Sequence, residues 1–181
     1  PARINTSANR AEKHGVAAAR DGSATAVWIE SVAGRRTVYA SRLDNAGWSL
    51  PLAIDDAAPG QADEPQVVVD ANGQALIAWV QLAGGAWTVR SRRCPAGPLS
   101  GCAAVASVPG PAGSAELPRL AGTPGGAAVV VWQQVDAAGQ RDLYASAYAP
   151  GAGWDANATR VDAGPGVVGA QVAIDKGGIA T

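Results

Sequence analysis

Apolar runs of four or five residues, too short for helices, alternate with glycine-bearing turns along the whole chain. Ala24-Thr-Ala-Val-Trp28, Ala75-Leu-Ile-Ala-Trp79 and Ala128-Val-Val-Val-Trp132 each end on an indole, and those indoles stand 51 and 53 residues apart. Before each run lies a turn: Asp21-Gly22-Ser23, Asp70-Ala-Asn72-Gly73 and Pro124-Gly125-Gly126, with a further copy at Asp175-Lys-Gly177-Gly178. Before each turn lies another apolar segment, at 16–19, 66–69, 119–121 and 171–174. Apolar run, Asx/Gly turn, apolar run is the pattern of a β-hairpin.

A third segment follows each tryptophan run, at 38–42, 89–93 and 143–147, and a fourth closes each unit at 51–54, 104–108 and 158–161. Residues 1–4 match the fourth segment as well. Four short strands every 52 or so residues predict an all-β protein, and specifically a β-propeller of four-stranded antiparallel blades. The boundaries are blade 1 at 6–56, blade 2 at 57–109 and blade 3 at 110–162, with an outer strand of a preceding blade at 1–5 and a partial blade 4 at 163–181. That makes about three and a half blades, one propeller segment over 1–181, where a closed ring normally needs four to eight. The remaining blades are expected from the rest of a longer chain or from a second copy. A β-helix has shorter coils than this unit, and an immunoglobulin-like array needs about 100 residues per domain. Trp28, Trp79 and Trp132 are expected to pack between blades, where an indole buries a large area. The first two strands should be covered on both faces, and the third should lie nearer solvent.

Between the third and fourth segments stands Ser41-Arg-Leu-Asp44-Asn-Ala-Gly47-Trp48, with a looser copy from Ser146 to Trp154. This resembles the Asp-box repeat of the bacterial neuraminidase-like propellers, and it falls in the turn where that superfamily places it. The resemblance implies a structural role for Trp48 and Trp154, and it supports the fold rather than an activity.

Nearly half the residues are apolar (48%) and only 16% are charged, which excludes a disordered chain. The longest apolar run, 127–132, is strand-sized, so no membrane span is expected, and no signal peptide opens the chain. A net charge of −1 without a block of one sign argues against nucleic acid or an anionic membrane as partner. Lys13 and Lys176 are the only lysines among 14 basic residues, a bias of GC-rich bacterial coding. Cys94 and Cys102 bracket a Pro/Gly loop where the second copy lacks its tryptophan. That spacing predicts a local disulfide and an oxidising location: secreted, periplasmic or cell-surface.

No chemistry stands out at this level. Arg35, Arg36, Arg90, Arg92, Arg93 and Arg141, with Tyr39, Tyr144 and Tyr148, sit on third strands or the turns before them and read as solvated edges. No catalytic residue, metal site or cofactor is predicted: the Asx turns hold too few oxygen ligands for calcium, and His14 has no nucleophile or metal-ligating partner nearby. One polar position does repeat. Glu30, Gln81 and Gln134 lie two residues beyond the three tryptophans and could receive sugar hydroxyls, one site per blade; a local hydrogen bond is the plainer alternative. The expected function is a non-enzymatic, extracytoplasmic scaffold binding protein or glycan. The alternatives are a fragment of a secreted sialidase-like glycoside hydrolase and a lectin.

Overall fold

A computed structural model of the chain describes residues 3–5, 7–56, 60–164, 166 and 169–181. Parts of the expected outer strand at 1–5, of the junction at 57–59 and of the fourth copy lie outside the described residues.

Three antiparallel sheets follow one another along the chain. The first runs β1 (Ala11–Ala18), β2 (Ala24–Val32), β3 (Arg35–Asp44), with β4 (Gly47–Trp48) and β5 (Leu52–Ala53) both pairing to β3. The second runs β6 (Ala62–Val69), β7 (Ala75–Ala83), β8 (Ala86–Cys94), β9 (Ala106–Ser107). The third repeats the first with β10 (Ser114–Gly122), β11 (Ala128–Val135), β12 (Arg141–Ala149), β13 (Gly153–Trp154) and β14 (Thr159–Arg160). Gly47-Trp48 and Gly153-Trp154, expected as turns, are short strands of their own, so the outer strand is broken in two. Pro51, which has no N–H to give, stands at the break in the first sheet. The fourth copy shows one bridge, Ile174 to Ala180, across its Asp175–Gly178 turn. Arg3, Ile4 and Asn5 form no ladder.

The innermost strand of each sheet starts earlier than the apolar pattern suggests. His14, Pro65 and Pro118 look like residues ahead of a strand, because proline interrupts a ladder. They lie inside it. Each strand carries a bulge at the same place, between Glu12 and Gly15, Asp63 and Gln66, and Glu116 and Arg119. The residue before each His or Pro takes a positive φ: Lys13 (46°), Glu64 (53°) and Leu117 (51°). A bulge leaves one residue unpaired, which accommodates proline and bends the strand.

Successive sheets pack face to face. Val27, Ile29, Val38 and Ile54 of the first sheet share a cluster with Ile77, Trp79 and Cys94 of the second. Val80, Val89 and Val108 of the second pack on Val130 and Trp132 of the third. Trp79 and Trp132 therefore face the sheet before their own. Two expectations need correction. β1 is largely exposed, unlike β6 and β10, because among the described residues no sheet packs on its outer side. β3, by contrast, is largely buried, with Val38, Ala40, Ser41 and Arg42 at 5% exposure or less, because the next sheet and its own outer strand close over it.

Candidate functional site

The repeated polar position is turned inward. Trp28, Trp79 and Trp132 each donate their indole N–H to the side-chain oxygen two residues on: Glu30 Oε1 at 2.7 Å, Gln81 Oε1 at 2.9 Å and Gln134 Oε1 at 2.8 Å. Residues i and i+2 of a strand share a face, so the acceptor is built into the spacing. A buried indole N–H without a partner costs about 1–3 kcal/mol. The rest of the Glu30 and Gln81 side chains holds the segment that leads into the sheet. Glu30 Oε2 accepts from Ser7 Oγ, and Gln81 Nε2 donates to the carbonyls of Asp56 (3.3 Å) and Gly60 (3.0 Å). The three side chains are buried, at 2%, 2% and 6% exposure.

Arg35, Arg92 and Arg93, with Arg42, are employed between sheets rather than at solvated edges, whereas Arg90 stays within its own sheet on Ser107 Oγ. Arg35 binds Asp55 and the carbonyls of Asp56 and Gly60. Burial pushes the Asp55 carboxyl above its ordinary 3.8, against the pull of the Arg35 guanidinium. Arg92 donates to the Ile54 carbonyl at 2.9 Å. Arg42 donates to the Gly73 carbonyl of the next sheet, and its equivalent Arg93 reaches Gly126 at 3.4 Å and Asp70 at 2.7 Å. Arg141 fits the exposed reading, at 45% side-chain exposure. The tyrosines are spread over the sheets: Tyr39 and Tyr144 stack on Trp28 and Trp132, and Tyr148 meets Trp154 edge-on with Arg93 over its ring.

Cys94 and Cys102 are bonded to each other, and the loop they close sits between the first and second sheets with Leu99 and Val105. Trp154 faces the second sheet and donates to Ser91 Oγ at 2.7 Å. Among the described residues no three His, Cys, Asp or Glu side chains form a metal-binding group, and no helix is long and apolar enough to cross a membrane.

The place where ligand chemistry does gather is the bulged end of the inner strands, and it differs from one sheet junction to the next. At the first junction Arg36 donates to Asp63 at 2.8 Å, while Lys13 holds Asp63 and Glu64 at 3.0 and 3.1 Å. The ladder registers make Trp87 the equivalent of Arg36, and Glu116 the equivalent of Asp63. At the second junction an indole therefore replaces the guanidinium, and a leucine, Leu117, stands at the bulge. A cleft of about 330 Å³ opens there, lined by Asp63, Glu64, Val80, Trp87, Glu116 and Leu117. Its floor is apolar and its rim carries three carboxylates. Glu116 is tethered loosely to Arg141 at 3.7 Å, and Glu64 Oε2 is buried without a hydrogen-bond partner.

Sequence reading missed this cleft. Trp87 is the one tryptophan that has no counterpart in the other copies, and that break in the period was the available signal. The acids of Ala11-Glu12, Ala62-Asp63 and Ala115-Glu116 repeat too, but their strands looked shorter than they are.

No family model matches the chain, and no curated protein matches it. Solved structures do. A Hadza microbial sialidase, Hz136, is 16% identical with a TM-score of 0.62 over 90% of this chain and 39% of its own length. A protein of unknown function from Dyadobacter fermentans DSM 18053 is 11% identical with a TM-score of 0.62 over 95% of this chain and 60% of its own length. At these identities the likeness is one of fold, and the chain spans less than two thirds of either protein.

Proposed function

We propose that the chain is a segment of a β-propeller that binds carbohydrate, without catalysing a reaction, in the cleft between its second and third sheets. The observation that carries this reading is the exchange of an Arg36–Asp63 ion pair at one junction for Trp87 and Glu116 at the next. An indole face packs against the C–H side of a sugar ring, and carboxylates accept its hydroxyls in charge-assisted hydrogen bonds. A cleft of this size suits one or two sugar units. The fold shared with a sialidase is a supporting analogy, and analogy of fold alone would not assign a ligand. The disulfide agrees with a secreted, periplasmic or cell-surface setting.

A glycan array followed by calorimetry on the best hit tests the reading. Trp87→Ala should weaken binding by about tenfold, the scale of one stacked aromatic contact. The lectin reading, one sugar at each of Glu30, Gln81 and Gln134, rests on the recurrence of those positions. It predicts the reverse: replacing Glu30, Gln81 and Gln134 together by alanine abolishes binding while Trp87→Ala keeps it. No glycan bound by the native chain would end both readings.

A further inference from the structure

Among the described residues no sheet packs on the outer side of the first sheet, and the two junctions between sheets show what belongs there. Val16 is 68% exposed, whereas its equivalents Val67 and Leu120 pack into the inter-sheet clusters. Trp48 lines an open apolar hollow of about 380 Å³ with Ile4, Val16 and Trp28, whereas Trp154, in the same position of the third sheet, is packed and donates to Ser91. The hairpin turns tell the same story. A β-carbon on Gly73 would lie 3.1 Å from Arg42 Nη2, and one on Gly126 would lie 3.1 Å from Arg93 Nη2, while the space over Gly22 is open. Ile4 marks the remaining corner: the matching residues Ile54 and Val108 end the outer strands of the first and second sheets and share clusters with Trp79 and Trp132.

We infer that this face seats one further four-stranded sheet of the same repeat, whose outer strand ends at Ile4. That sheet presents an aliphatic surface to Val16 and Trp28, a hydroxyl to the Trp48 indole N–H, and a third-strand arginine to the Gly22 carbonyl. Each requirement is met once or twice within the chain, by Ser91 for Trp154 and by Arg42 and Arg93 for Gly73 and Gly126. An uncovered apolar patch flanked by two unmet polar partners is the mark of an interface rather than of ordinary surface.

The test is an extended chain, with a copy of residues 60–106 joined directly ahead of Arg3. In that register the copy's Ser91 meets Trp48 and its Arg93 meets Gly22. Hydrogen exchange across 11–18 should slow by about tenfold or more once the new sheet docks. Val16→Asp should abolish the protection in the extended chain and leave exchange in the original chain unchanged. Unchanged exchange across 11–18 beside a folded copy overturns the inference. So does a copy that stays unfolded, because the same residues fold against the first sheet in the native chain. A concentration-dependent dimer of the original chain that Val16→Asp dissolves also overturns it, by seating a second molecule there instead.

Discussion

At the scale of single residues, the repeat is held by polar side chains placed where the sheets are driest. The Trp-x-Glu/Gln pair shows the logic: the indole brings apolar area into the junction, and its N–H then needs an acceptor that arrives on the same strand face. Two copies use a carboxamide and one a carboxylate, so Glu30→Gln should keep the Trp28 bond and leave the thermal midpoint nearly unchanged. Glu30→Ala strands both the Trp28 indole and the Ser7 hydroxyl and should cost about 1–3 kcal/mol in chemical denaturation. A large loss in Glu30→Gln would show that the charge, not the acceptor, is what matters. Asp55 makes the opposite case. Its carboxyl is buried and raised above 3.8, so the folded state prefers it protonated. That preference adds stability below about pH 3.8 and is lost as the pH rises through the raised value. Asp55→Asn carries no such loss, so its midpoint should match the native one near pH 3 and exceed it increasingly toward pH 7. A variant less stable at pH 7 than at pH 3, relative to the native chain, would mean the Arg35 pair outweighs burial.

Legibility in the sequence ended where periodicity did. Hairpins and outer strands could be read from Trp28, Trp79, Trp132 and the glycine turns because alternation and turn chemistry are local. The bulges could not, because Pro65 and Pro118 mimic strand ends and only the ladder on both sides shows otherwise. Nor could the partners of Arg42 and Arg93, which lie 31 and 33 residues away on the next sheet. Among whole elements, the cysteine loop is the clearest local solution. A short Gly-Trp strand seals the outer edge in sheets one and three; in sheet two a 3-10 turn at Leu99–Gly101 and a disulfide fill the same place. Closing so short a loop restricts the unfolded chain by about 2–3 kcal/mol. Cys94→Ala with Cys102→Ala should lower stability by about that much, with the added loss of packing on the first sheet. A midpoint unchanged by the double substitution would show the loop to be an ornament on an already stable edge.

For the molecule as a whole, three nearly equivalent sheets explain stability but not recognition, since identical junctions would give identical surfaces. The second junction departs from the first where Trp87, Glu116, Leu117 and Glu64 stand in place of Arg36, Asp63, Glu64 and Lys13, and the departure can be reversed. Trp87→Arg places a guanidinium opposite Glu116, as Arg36 stands opposite Asp63, and should fill the cleft with an ion pair. Such a pair at a partly exposed site is worth about 1 kcal/mol or less, so folding should barely change while glycan binding disappears. The converse change, Arg36→Trp, removes the bond to Asp63 and gives the first junction its own indole, although Lys13 still holds both acids there. Combined with Lys13→Glu and Glu64→Leu, which give the first junction the acid and the leucine that Glu64 and Leu117 supply at the second, it should open a second cleft and raise the stoichiometry from one glycan per chain to two. Calorimetry reads both numbers directly. If Trp87→Arg kept full binding, the ligand would have to sit elsewhere on the array, and the contrast between the two junctions would reflect packing alone.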